Sequence, residues 1–239
     1  MQDSLYVALS SQIALERRLT TIADNVANAG TVGFRATQVK FEDVLSGTGP
    51  NSVSFVQTGG TYLSEAKGGY RNTANPFDFA IRGDAWFGLE TPDGPIMTRD
   101  GRFSMLQTGQ LVSVEGYPVL DAAGTPIQLD PAAGAPVVSA DGFIRQNGEQ
   151  VGAFGLFSFT PGLNFQRYGN SGVVPNGEPQ AVVDRADSGV VQGFVEDSNV
   201  NPVLEMTRLI MVQRAFESAN AAVRETETTF GDAVKALGS

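Results

Sequence analysis

The chain has 239 residues, 41% of them hydrophobic and 18% charged, enough to bury a real core as one large domain or two small ones. A net charge of −10, with Lys40, Lys67 and Lys235 as the only lysines, excludes a nucleic-acid binder, because no basic patch could release counterions; it also disfavours an anionic membrane surface. With no cysteine there is no disulfide or thiolate metal site, and with no histidine the commonest metal ligand and general base are missing.

The first stretch, MQDSLYVALSSQIALERR, carries an acid at Asp3, no basic opening and only spaced apolar residues, so it does not read as a cleavable secretory signal. No apolar run approaches the roughly 20 residues of a membrane span, and no membrane insertion is expected. Leu5, Ala8, Gln12, Leu15, Leu19, Ile22 and Val26 step by three and four, a heptad seam on a helix that Asp3 or Ser4 can cap. Gly30 and Gly33 stop it, and Asn25 and Asn28 flank Val26 near its end. Residues 34–75 lack any period and read as an extended, partly ordered connector.

Residues 76–197 change character. Short alternating runs are separated by Asp93-Gly94, Asp100-Gly101, Gly109, Glu115-Gly116, Asp141-Gly142 and Asn147-Gly148, the turn chemistry of an antiparallel β domain. The Pro/Gly-rich stretch at 159–180 leads back toward a second helix. Asn199 and Asn201 precede it, with Asn201 as N-cap and Pro202 in the first turn. Its seam runs Met206, Leu209, Gln213, Phe216, Asn220, Val223, Glu227, Phe230, Val234 and Leu237, with Ile210 beside it.

The expected fold is therefore α+β. Helices from 1–33 and 198–239 pair as a coiled-coil-like domain, and the β domain is inserted between them. Two such helices alone are marginal in water, so their stripes either pack on the β body or face copies of the same protein and its relatives. The asparagines either cap helix ends or hydrogen-bond neighbouring backbone in a packed bundle.

Enzyme readings find little support. Ser64 and Lys67 have S-x-x-K spacing, but no K-T-G follows. Of Asp93, Asp100, Asp121 and Asp141, three precede glycine in turns, where aspartate serves the backbone. No calcium loop or phosphate loop is present, and no cofactor is expected. A dedicated assembly chaperone is a further alternative, though it would not need seams at both ends.

Three segments carry a resemblance. ADNVANAGTVGFR (23–35), FAIRGDAWFGLETPDGPIMTRDGRFSM (79–105) and GFVEDSNVNPVLEMTRLIMVQRAFESA (193–219) resemble signatures of the bacterial flagellar rod and hook axial proteins, in the same order. The sequence departs from the common pattern at Asp24 and Trp86. The length and short β body are similar to proximal-rod subunits rather than to the longer distal-rod or far larger hook subunits.

The resemblance implies a structural subunit that polymerises with its own copies and neighbouring rod proteins into a shaft across the periplasm. It also implies unfolded export by the flagellar type III apparatus without a cleaved signal. Leu5, Leu15, Leu19, Ile22, Asn25, Val26, Asn28, Asn199, Asn201, Met206, Leu209, Ile210, Phe216, Val223 and Phe230 would then pack between subunits. FEDVL, with Phe41 and Leu45, resembles the export-gate segment, and alternatively anchors the connector to the β domain.

Overall fold

The computed structural model describes residues 2–46, 53–182 and 188–237, with side chains over 7–40, 59–182 and 188–225 and at 228, 229, 231 and 235. The chain divides into two units, one made of Met1–Ala27, Thr37–Tyr62 and Asn201–Ser239, the other of Asn28–Ala36 and Leu63–Val200.

In the first unit, helix α1 (Gln2–Ala27) packs against helix α2 (Pro202–Leu237) and touches strand β1 (Thr37–Ser46), which pairs with β2 (Val53–Leu63). On α1, Ala14, Ile22 and Asn25 are buried, with Leu15, Leu19 and Val26 half-buried. On α2, the inward stripe runs through Glu205, Leu209, Val212, Phe216, Asn220 and Val223. That stripe shares Leu209, Phe216, Asn220 and Val223 with the predicted seam, but Glu205 and Val212 face in where Met206 and Gln213 were expected. A straight helix turns 3.6 residues per turn, so a 3/4 stripe can be satisfied by either neighbour at alternate steps.

The second unit holds fifteen strands among the described residues. They begin with β3 (Tyr70–Asn72), β4 (Phe79–Arg82), β5 (Trp86–Thr91), β6 (Gly94–Thr98), β7 (Phe103–Met105) and β8 (Leu111–Ser113). There follow β9 (Val137–Val138), β10 (Phe143–Gln146), β11 (Glu149–Ala153), β12 (Leu156–Ser158) and β13 (Gln166–Tyr168). The last are β14 (Gly172–Val174), β15 (Gln180–Ala181), β16 (Gly189–Gln192) and β17 (Phe194–Glu196). A six-stranded sheet has the order β13-β14-β6-β5-β12-β15, and β9, β10 and β11 form a second sheet. Every recorded pairing is antiparallel.

Central strand β5 is buried on both faces, which explains its Trp-Phe-Gly-Leu run in place of strict alternation. Phe79, Phe87, Phe103 and Phe154 meet at the centre, with ring centroids as close as 4.7 Å for Phe79 and Phe154. Met97, Leu120, Phe157 and Val173 fill a second cluster around Trp86.

The late strands return to the early ones. β16 pairs with β4 from Gly189↔Arg82 to Gln192↔Phe79, and β17 pairs with β3 from Phe194↔Asn72 to Glu196↔Tyr70. The beginning and end of this unit are thus neighbours. The connector expected over 34–75 differs from the structure, which places β1, β2 and β3 there and assigns Asn28–Ala36 to the β unit.

Candidate functional site

Helix α1 ends at Ala27, and the next residues, Asn28 to Ala36, fold into the β unit. Asn28 starts a turn: its carbonyl accepts from Thr31 N at 3.1 Å and its Oδ1 accepts from Thr31 Oγ1 at 3.0 Å. Val32 and Phe34 are buried, and the Arg167 guanidinium lies over the Phe34 ring at 4.2 Å. Gly33 adopts φ +70° in van der Waals contact with the Arg99–Asp100 backbone, where a Cβ would sit 2.3 Å from Asp100 N. Only glycine meets both demands.

Arg35 then enters a buried ion cluster. Its Nη2 donates to Glu196 Oε1 at 2.7 Å, and its Nη1 donates to the carbonyls of Glu65, at 3.1 Å, and Ala66. From the other side Arg99 Nε donates to Glu196 Oε2 at 2.7 Å. The Arg99 Nη groups reach the carbonyls of Ile81 at 2.9 Å, Gly83 at 3.1 Å and Ala85. Gly68 N completes the shell of Glu196 Oε1 at 3.2 Å. Side-chain exposures of 6% for Arg35 and 1% for both Arg99 and Glu196 show that water screens none of this. Burial lowers the pKa of Arg35, Glu196 opposes that shift and Arg99 adds to it. All three residues lie inside the three segments that resemble the axial-protein signatures. Their signal was a charge set among apolar neighbours, as in Val-Gly-Phe-Arg and Phe-Val-Glu.

The asparagines divide by task. Asn25 pairs with both backbone groups of Thr37, accepting from its N–H and donating to its carbonyl, each at 2.9 Å. Within the β unit, Asn199 Oδ1 accepts from Ala36 N and its Nδ2 donates to Ala66 O, both at 2.7 Å. Asn201 caps α2, accepting from Leu204 N at 3.1 Å. Asn25→Ala should therefore destabilise the helical unit by about 2 kcal/mol, because it removes two hydrogen bonds to the Thr37 backbone, each worth about 1 kcal/mol. Urea titration followed by the helical circular-dichroism signal measures this.

Of the remaining residues singled out in the sequence, Met206 and Ile210 are exposed, and the side chains of Leu5, Phe41, Leu45 and Phe230 lie outside the described residues. Lys67 is held by Asp84 at 2.8 Å. Asp100 binds Arg102, while Asp121 accepts from Thr125 and Ala123 within its turn.

The fold thus combines helices from both chain ends, an inserted β unit and a buried ion cluster that joins segments near residues 35, 99 and 196. Three family models match these same segments. The flagella basal body rod protein model covers residues 5–35, the flagellar hook protein FlgE/F/G D1 domain 80–146, and the flagellar basal body rod FlgEFG protein C-terminal model 191–235. Each match contains one member of the ion cluster.

Over 239 residues the chain is 66% identical to the flagellar basal-body rod protein FlgF of Mesorhizobium japonicum, covering 100% of this chain and 99% of the relative. It is 54% identical to the FlgF of Rhizobium meliloti, over 100% and 99%. Identity to the flagellar basal-body rod protein FlgG of Bacillus subtilis is 28%, over 95% and 96%. The chain belongs to the flagellar basal-body rod protein family, and within it to the FlgF group.

Proposed function

We propose that the chain is a structural subunit of the proximal rod, packing with its own copies and neighbouring rod proteins into the shaft that carries motor torque across the periplasm. The observation that carries this reading is the outward surface of the helices. Val203, Leu204, Met206, Ile210 and Met211 are exposed by 47–73% within one short reach of α2, and Leu9 and Ile13 of α1 by 46% and 48%. Burying a side chain of this kind stabilises by roughly 1.5–3 kcal/mol, so the row favours association strongly. A head-to-tail interface that does not close into a ring yields an open helical filament.

In this reading Leu15, Leu19, Ile22 and Val26, together with Leu209, Phe216 and Val223, hold the helix pair. Met206 and Ile210 meet the next subunit, and the terminal helices line the inner tube with the β unit outside. The subunit is made in the cytoplasm and passes through the type III export apparatus without a cleaved signal, with the segment around Phe41 and Leu45 read at the gate. Much lower identity to a FlgG relative favours the proximal rod over the distal rod.

The double substitution Met206→Glu with Ile210→Glu tests the reading. The β unit should keep its near-ultraviolet circular dichroism, while cells carrying the variant lose swimming and rod-containing basal bodies by electron microscopy. Normal rods built from the variant would remove the basis of the proposal.

A further inference from the structure

We propose that the β unit carries two unlike docking surfaces for its own copies, the outer face of the β9-β10-β11 sheet on one copy seating in a groove between Glu90 and Glu178 on the next. The proposal rests on the rod reading for the presence of a second copy, and concerns a contact that the helices do not make. Along β10 the burial alternates, with Phe143 and Arg145 exposed and Ile144 and Gln146 turned inward. Val137 of β9 and Gln150 of β11 stand opposite Arg145 on either side. Directly opposed residues share a face, with Cβ atoms about 5 Å apart. Val137, Phe143 and Val151 are exposed by 66%, 37% and 41%, so this small sheet shows solvent three large apolar side chains about a single cation. A sheet face meant only for water carries polar residues at its outward positions.

The complementary surface lies on the six-stranded sheet. A groove of about 490 Å³ has Met97, Leu120, Phe157 and Pro95 in its lining, with the exposed Glu90 and Glu178 beside them. Among the described residues no lysine or arginine lines it. Arg145, Glu90 and Glu178 enter none of the ion pairs among the described residues, so all three charges remain available to a partner. Asp141, bonded to Ser139, lies at the approach to β10 and Glu149 at the hairpin end, which confines the positive charge to the middle of the face. A chain of net charge −10 repels its own copies at long range, so self-contact needs a local reversal of sign. Arg145 opposite two carboxylates supplies it. Pairing either surface with its own equal would bring like charges together, whereas the unlike pairing matches charge to charge and apolar area to apolar area. Unlike, head-to-tail pairing is also what an open helical assembly demands.

The chain has no cysteine, so introduced thiols report on this contact without background. Gln150→Cys places one beside Arg145 and Ala123→Cys places one in the groove lining, and neither removes a charge of the contact. Both are made in the full chain that also carries Met206→Glu and Ile210→Glu, so that the helix surface is disabled. On oxidation, a mixture of the two should form the mixed disulfide dimer about tenfold faster than either variant forms its own homodimer. Raising the salt from about 0.05 M to about 0.5 M should slow it several-fold, because exposed charge steers the encounter. Arg145→Glu in the Gln150→Cys chain should slow it about tenfold, and Glu90→Lys with Glu178→Lys in the other chain should restore the rate for that reversed pair. Homodimers that form as fast as the mixed dimer, no loss on Arg145→Glu, or no recovery by the reversed groove would overturn the proposal. Swimming and basal bodies test the rod reading separately, so normal rods without this cross-link would sink the β-unit contact alone.

Discussion

Glu196→Ala is expected to destabilise the β unit by about 3–5 kcal/mol, the range for removing one partner of a buried ion pair. The reason is what remains. Arg35 and Arg99 would face each other without their shared carboxylate, in a place from which solvent is absent. Their carbonyl acceptors on Glu65, Ile81 and Gly83 satisfy the N–H groups but supply only partial charge. The loss also reaches beyond the two arginines, since Glu196 Oε1 accepts from Gly68 N at 3.2 Å as well. Denaturant unfolding followed by Trp86 emission measures the change. Replacing all three charged residues by Met, Leu and Met, at 35, 99 and 196, should recover much of it, because a well-packed apolar set avoids the desolvation of three ions. A Glu196→Ala protein with an unchanged unfolding midpoint would show that the cluster holds nothing together.

Gly33→Ala should cost about 3 kcal/mol or more and release Asn28–Ala36 from its seat. A Cβ at this residue would stand 2.3 Å from Asp100 N and 2.5 Å from the Arg99 carbonyl carbon, both rigid backbone atoms. The positive φ adds a penalty on the order of 1 kcal/mol for any L side chain. Relief requires the segment to back away, and Val32, Phe34 and Arg35 would withdraw with it. Amide exchange at Gly33, Phe34 and Asn199 is the direct measure, and it should accelerate together. Gly30→Ala is the control, since a Cβ there meets nothing within 4 Å and its φ is ordinary. Equal behaviour of the two variants would contradict the packing argument.

Local chemistry was readable in the sequence wherever a single turn decides the outcome. Asn147 and Gly148 both take positive φ, 52° and 88°, and join β10 to β11 as their dipeptide announces. Asn201 caps α2 as its place before Pro202 suggests. Asp100-Gly101 differs: it joins no hairpin, and Gly101 is needed because a Cβ there would lie 1.8 Å from Phe79 O. A dipeptide cannot tell a turn from a close approach. β1 is not legible as a strand although Gln38-Val39-Lys40-Phe41-Glu42 alternates, because the unpatterned stretches after it hide so short a period. The pairing of β16 and β17 with β4 and β3 joins segments more than a hundred residues apart, and no local window contains that information. The ion cluster escaped for the same reason: each of its charges looks like surface until the other two are placed beside it.

The incoming and outgoing backbones of the β unit are stitched directly, Gly33 N to Glu196 O at 2.7 Å and Asn199 N to Phe34 O at 3.3 Å. Tension that enters the β unit through its two chain ends is therefore short-circuited at this neck, across a few backbone hydrogen bonds. The strands beyond the neck hang off the line of force as a sealed loop. Such a loop can be lengthened, trimmed or exchanged by evolution without rewiring the path along which the molecule bears load.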